Sequence, residues 1–275
     1  MERPSIVGSR AADRLPDRAR TDGLIRVEDL HKVFATIGGD PVHAVRSATF
    51  AVHDAEFVSI VGPSGCGKST ILRAVAGLIT PTSGRILIAG SPVVGPRKGG
   101  TGIVFQSPLL LPWLTVLQNV LLPVEVLRLE RRAYVGKATE LIDLVGLGGF
   151  AHRYPFELSG GMQQRAAIVR ALVFDPPILL MDEPFAAVDA ITRDQLNLEL
   201  QRIWERYRKT VLFITHNIGE AVFLSDRVLV MSARPGSIVA DISIDLPRPR
   251  TVEQMGDPVF ARLAGVVRGQ LFAHA

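Results

Sequence analysis

From Leu24 onward, short apolar runs rich in β-branched residues alternate with longer segments of helical spacing. Leu24 to Val27, Ala44 to Val52 and Phe57 to Val61 read as strands. A glycine-rich turn leads from the third into Ser69 to Leu78, whose apolar residues recur at the helical period and which Thr80-Pro81 closes. Strand-like runs follow at Arg85 to Ala89 and Thr101 to Phe105, and the texture from Thr115 to Gly161 is helical. Then come a helix from Gly160 to Phe174, a strand from Ile178 to Met181, a helix from Ile191 to Arg208 and a strand from Val211 to Thr215. A short helix, Ile218 to Leu224, and a strand, Arg227 to Met231, complete the series. Such alternation predicts an α/β fold with a mainly parallel sheet covered on both faces. The helical stretch from about 107 to 160 interrupts it and predicts an inserted lobe.

Composition adjusts this picture in two places. The chain has 275 residues, 47% hydrophobic and 21% charged, which fits one large folded domain. Its mean hydropathy of +0.25 raises the question of a membrane span. The longest uncharged stretch, Gly99 to Val124, contains Pro108, Pro112 and Pro123 with Gln106, Gln118 and Asn119, which suits a spanning helix badly. Net charge is +4, but no long run of like charges forms, so nucleic acid is not an expected partner. A single cysteine, Cys66, fits a reducing compartment, and the Arg-, Asp- and Pro-rich start has no signal-peptide core. The expectation is a mobile tail over 1–22 and a cytoplasmic protein.

The segment Gly62-Pro63-Ser64-Gly65-Cys66-Gly67-Lys68-Ser69-Thr70 follows a strand and opens a helix, the context that a phosphate-binding loop needs. Glycines let backbone N–H groups turn toward phosphate oxygens, and the helix start adds partial positive charge. Lys68 would reach the β- and γ-phosphates of a nucleotide, and the Ser69 hydroxyl would hold Mg²⁺. Further on, the apolar strand Ile178 to Met181 ends in Asp182-Glu183, where ligands bind in open α/β sheets. Asp182 is placed to hold Mg²⁺, and Glu183 to take a proton from an attacking water. Leu158-Ser159-Gly160-Gly161-Met162 is a second anion cradle, a serine and two glycines at a helix start.

These three motifs together resemble the ATP-binding-cassette ATPases, whose LSGGQ signature the last one matches except at Met162. The resemblance spans about Leu24 to Pro247. It implies a P-loop NTPase core, an N-terminal antiparallel β subdomain and an inserted α-helical subdomain. It implies ATP and Mg²⁺ as cofactors and a homodimer, in which Ser159, Gly160, Gly161 and Asp189 of one chain close over ATP held by the other. Gln106 falls where the family has a glutamine touching Mg²⁺ and water, and His216 where it has a γ-phosphate-sensing histidine. Val188-Asp189 falls at the D-loop, although Ala186-Ala187-Val188 departs from the usual form. Phe34 falls where an aromatic ring stacks on adenine; a core phenylalanine is the alternative reading. Cys66 sits in the cradle without a catalytic role, yet its alkylation would be expected to block ATP.

The segments SPLLLPWLTVLQNVLLPVEV and LSDRVLVMSARPGSIVADISIDLPRPR look like the nitrate/sulfonate/taurine importer branch. That likeness implies an S-A-R-P-G turn leading into a final hairpin, two transmembrane permease subunits, an extracytoplasmic solute-binding protein, and a place on the cytoplasmic face of the membrane. Gly99 to Val124 is then either permease-docking surface or lobe core. After Arg250 a helical tail, 251–275, is expected, with no separate regulatory domain. Two rivals are a cassette ATPase acting on nucleic acid and a P-loop kinase. The first would carry long insertions or zinc-binding cysteines, and the second would lack the signature and His216. An importer ATPase for another solute, such as a pyrimidine precursor, stays open.

Overall fold

The computed structural model describes residues 23–274; the tail expected over 1–22 lies outside them. The strands are β1 (Ile25–Phe34), β2 (Val42–Val52), β3 (Phe57–Val61), β4 (Ser83–Ile88), β5 (Ser91–Pro92), β6 (Thr101–Val104), β7 (Ile178–Asp182), β8 (Thr210–Ile214), β9 (Arg227–Met231) and β10 (Ile238–Ser243). The helices are α1 (Lys68–Val75), α2 (Val116–Val126), α3 (Arg131–Leu144), α4 (Gly160–Leu172), α5 (Ala190–Tyr207), α6 (Ile218–Leu224) and α7 (Pro258–Ala273).

Two sheets form. One is four-stranded and antiparallel, in the order β2-β1-β4-β5; the other is six-stranded, in the order β10-β9-β3-β8-β7-β6. Within the larger sheet β3, β6, β7, β8 and β9 run parallel, and only β10 turns back along β9. This is the expected P-loop core beside an antiparallel N-terminal sheet.

β3, β7 and β8 are buried at every position, as continuous apolar runs are when helices cover both faces. The pleat sends alternate residues to different cores. Ile178, Leu180, Leu212 and Ile214 pack with α1 and the antiparallel sheet. Leu179, Met181, Val211 and Phe213 pack with α2 to α6 on the other side. The P-loop is thus pinned between two cores.

Several boundaries differ from the sequence reading. β1 runs on to Phe34, because irregular pairing between Val27 and Leu30, with Asp29 at φ 45°, breaks the period-two pattern. α1 stops at Val75, just before Gly77 takes φ +72°, where a Cβ would lie 2.2 Å from the Gly95 carbonyl oxygen. The two-residue β5, exposed and ending in proline, carries no apolar pattern to read.

The L-P-R-P-R segment is structural. Arg250, 2% exposed, donates through Nη1 to the carbonyls of Val222 and Phe223 at 2.9 Å and of Ser225 at 2.8 Å. Removal from water lowers its pKa to about 10, with the neighbouring Arg248 adding to the effect. Arg248 itself bonds Asp226 at 2.9 Å and lies over the Trp204 ring at 4.1 Å. Beyond it Asp257 caps α7, which buries Phe260 and Val267.

Candidate nucleotide site

The P-loop leaves β3 and enters α1 through two glycines with positive φ, Gly65 at +75° and Gly67 at +107°. Gly67 is the N-cap of α1 with no side-chain cap, so the helix's first N–H groups are left for an anion. No larger residue fits there, since a Cβ would meet the Ala44 carbonyl oxygen at 2.6 Å. Lys68 is buried, its ammonium donating to the carbonyls of Gly62 and Pro63, both at 2.9 Å. Cys66 is 1% exposed and burial raises its thiol pKa, so the expected alkylation loses its physical basis.

Two further strand ends complete the site. Ser69 Oγ donates to Asp182 Oδ1 at 2.7 Å, joining the P-loop to the end of β7 across 113 residues of sequence. Burial pushes the Asp182 carboxyl up, while the Ser69 bond and the charges of Arg73 and Lys68 pull it down. Glu183 follows with φ 44°, an unfavourable conformation for a non-glycine residue. Its N–H is held by the Ile214 carbonyl at 2.9 Å, its Oε2 lies 2.9 Å from His216 Nδ1, and its Oε1 lies 3.9 Å from Lys68 Nζ.

Lys68, Ser69 and Glu183 line a cavity of about 290 Å³ together with Phe34, Val42 and Arg234, with Ser64, Gly65, Gly67 and Thr70 also on its wall. Phe34 is 39% exposed, which removes the core reading. The Lys32 ammonium sits over its ring, 5.0 Å from the centroid. Gly62, Pro63 and His216 line an adjoining hollow.

The remaining predicted residues stand elsewhere in the chain. Ser159 caps α4 through Met162 N–H at 3.3 Å, and Ser159 and Gly160 are exposed. Neither they nor Gly161 line the cavity beside Lys68. Asp189 caps α5 through Thr192 N–H at 3.0 Å, a bond that holds its carboxyl below the ordinary range. Gln106 lies exposed two residues beyond β6, and Gln164 of α4 donates to the preceding Phe105 carbonyl at 3.3 Å.

The uncharged stretch divides. Val116, Asn119, Val120, Leu121 and Val124 are buried on α2, whereas Leu109 is 58% and Trp113 69% exposed. Asn119 pins the intervening loop by accepting from Leu111 N–H at 2.7 Å and donating to the Leu114 carbonyl at 2.9 Å. At the C-terminal end of α2 lies a groove of about 240 Å³, lined by Leu78, Arg97, Lys98, Ile103, Pro123 and Phe174 among others. No helix among the described residues is long and apolar enough to cross a membrane.

Sequence reasoning missed two residues. Glu220, buried on α6, bonds Thr215 Oγ1 and pairs with Arg193 at 3.2 Å, fixing the strand end that carries His216. Its only sequence signal is an acid in an apolar helix. Arg234 stood in the S-A-R-P-G segment without a role.

The family model described as ABC transporter matches residues 45–186. The taurine import ATP-binding protein TauB of Rhizobium johnstonii is 44% identical over 255 residues, covering 90% of this chain and 96% of TauB. The nitrate import ATP-binding protein NrtD of Synechocystis is 41% identical over 256 residues, covering 90% and 96%. Among solved structures, the dimeric MJ0796 cassette of a bacterial ABC transporter superposes with a TM-score of 0.71 at 31% identity, covering 81% of this chain and all of that one. The same cassette in a post-hydrolysis state bound to ADP and Pi gives a TM-score of 0.70 at 31% identity, with the same coverage. With its P-loop, paired acids and signature in these places, this chain belongs to the ATP-binding proteins of the ABC transporter family.

Proposed function

We propose that the chain is the ATP-hydrolysing subunit of an importer for a small anionic solute of the nitrate, sulfonate or taurine kind. It works as a homodimer on the cytoplasmic face of the membrane, beneath two permease subunits fed by an extracytoplasmic solute-binding protein. The cassette spans 23–250 with its helical subdomain at about 107–160, and 251–275 forms the tail. The observation that carries the reading is that Lys68, Ser69 and Glu183 line one cavity, with Asp182 bonded to Ser69 and His216 to Glu183 behind them, so that three strand ends meet there.

Magnesium fits this donor set. The Ser69 hydroxyl and the Asp182 carboxylate are hard oxygens 2.7 Å apart, and Mg²⁺ asks for only one or two such protein ligands beside phosphate and water. Gln106 would join them as the cassette closes. Bound there, the ion would neutralise charge building on the β- and γ-phosphates.

The chain's own groups do the rest. Lys68 exchanges its two loop carbonyls for phosphate oxygens. The α1 amides hold the phosphates, and Phe34 stacks on the base. His216 holds one carboxylate oxygen of Glu183, so that the carboxylate keeps its aim on the attacking water and takes its proton. Ser159 to Gly161 lie away from this cavity within the chain, which supports their use by a partner copy. Exposed Leu109 and Trp113, in the loop that follows Gln106, support apolar docking by the permease.

The test is ATPase activity of the purified chain alone, with its co-expressed permease in lipid, and with duplex DNA. Stimulation by permease and indifference to DNA are expected; the reverse pattern would replace the importer with the nucleic-acid reading.

A further inference from the structure

The turn Ser232–Ser237 is fixed more firmly than an exposed loop requires. Ser232 N–H donates to the Ser237 carbonyl at 2.9 Å, and Ser237 N–H to Ser232 Oγ at 3.0 Å. Outside the turn, Gly236 N–H donates to the Ala44 carbonyl at 3.2 Å, and Arg46 N–H to the Gly236 carbonyl at 2.8 Å. Ala233 N–H reaches the His274 carbonyl at the end of α7, at 3.0 Å. A Cβ on Gly236 would lie 2.0 Å from the Cys66 carbonyl oxygen, so the turn rests directly on the P-loop backbone. β2, the P-loop and α7 therefore hold one turn in place.

That turn presents Arg234. The side chain is exposed and lines the cavity that holds Phe34, Lys68 and Glu183. Among the described residues its guanidinium has no hydrogen-bond or ion-pair partner, whereas Lys68, the other cation on that wall, is bonded twice. An unpaired arginine on a rigid mount, facing a cradle built for a polyanion, is a preorganised anion contact. The mount also says which part of the ligand it meets. It is bonded at Ala44 and Arg46, next along β2 from Val42, which pairs with Phe34 across the sheet. This ties the turn of Arg234 to the β2 side of the cavity, the side of Val42 and Phe34.

We propose that Arg234 is a nucleotide-binding residue that contacts the ribose and α-phosphate region. The proposal rests on the reading of this cavity as the ATP site. Because that region is common to both nucleotides, Arg234 should hold MgADP and MgATP alike and take no part in hydrolysis itself.

The test uses the full chain carrying Glu183→Gln, with Arg234→Ala, Arg234→Lys or Lys68→Ala added, and calorimetric binding of MgATP and MgADP. Loss of one exposed charge-assisted contact should weaken both nucleotides about five- to tenfold in Arg234→Ala. Arg234→Lys should recover part of the loss, with thermal unfolding unchanged in both. In the chain without Glu183→Gln, Arg234→Ala should raise KM for ATP while kcat at saturation stays within about twofold. Affinities within about twofold of the parent, or a loss confined to ATP, would overturn the proposal while leaving the ATPase reading intact. A parent that binds no more nucleotide than Lys68→Ala would overturn both.

Discussion

His216 Nδ1 and Glu183 Oε2 stand 2.9 Å apart, across the ends of the neighbouring strands β8 and β7. The backbone backs this pair, because the Glu183 N–H is bonded to the Ile214 carbonyl two residues before His216. A carboxylate gripped at its amide and at one oxygen is aimed, which is what a general base requires. Glu183→Gln should retain ATP binding while turnover falls roughly 10²- to 10⁴-fold. His216→Ala should also lower kcat with little change in KM. Steady-state phosphate release with parallel nucleotide-binding measurements decides both; near-normal turnover in Glu183→Gln would remove Glu183 from the role of base.

Ser69 and Asp182 form the second pair, and they bear on the metal. Ser69→Ala should raise the Mg²⁺ concentration needed for half-maximal ATPase activity about ten- to hundredfold, the size of loss seen when a metal site loses a supporting group. Asp182→Asn should do more, since it also removes the anionic charge. A magnesium titration at fixed ATP gives the answer. An unchanged midpoint in both variants would mean that these oxygens do not serve the ion.

Glu220 gives stability a pH dependence of defined sign. Burial raises its folded-state pKa above the ordinary carboxylate value, against the pull of the Thr215 bond and the Arg193 charge. The folded state therefore favours the protonated acid. The contribution to stability is lost as pH rises from the ordinary carboxylate value through the raised one, and it stays lost above both. Glu220→Gln cannot ionise and should escape that loss. Urea unfolding of both proteins between about pH 4 and pH 8 should show the variant gaining on the parent as pH rises. Parallel curves would mean that Glu220 is already ionised at no cost.

Arg250 is the structural counterpart. Arg250→Ala strands the buried carbonyls of Val222, Phe223 and Ser225, and should cost about 3 kcal/mol or more. Each kcal/mol corresponds to roughly 2–4 °C in the unfolding midpoint for domains near this size. Arg250→Lys should recover only part, because an ammonium lacks the planar fork. Calorimetric unfolding measures both, and a midpoint within about 2 °C of the parent in Arg250→Ala would contradict the reading.

The site was legible where chemistry is local. The glycines, Lys68 and Ser69 act through one turn and one helix start, so their spacing along the chain is their spacing in space. Asp182, Glu183 and His216 were legible because a parallel sheet brings its strand ends to one edge. Phe34 was ambiguous in sequence: whether an aromatic ring is core or platform depends on which face of β1 is covered, and that is a tertiary matter. Its exposure on the cavity wall rules out the core reading. The stretch Gly99 to Val124 was ambiguous for the same reason, since buried and docking apolar residues look alike. The helix α2 buries one face and the loop before it lifts Leu109 and Trp113 outward.

By itself, the sequence determined the alternation of strands and helices, the phosphate loop, the paired acids and the signature. Each of these needs only residue type and near-neighbour order. Tertiary structure alone decided that Ser159 to Gly161 do not line the cavity beside Lys68, that Cys66 is closed off and that Glu220 braces the strand of His216. It alone brought Arg234 to the nucleotide cavity, from 166 residues beyond Lys68 in sequence (234 − 68), by bonding its turn to β2 and α7. Burial, aim and meeting across such distances come from packing, and packing is set by the fold as a whole rather than by any one segment.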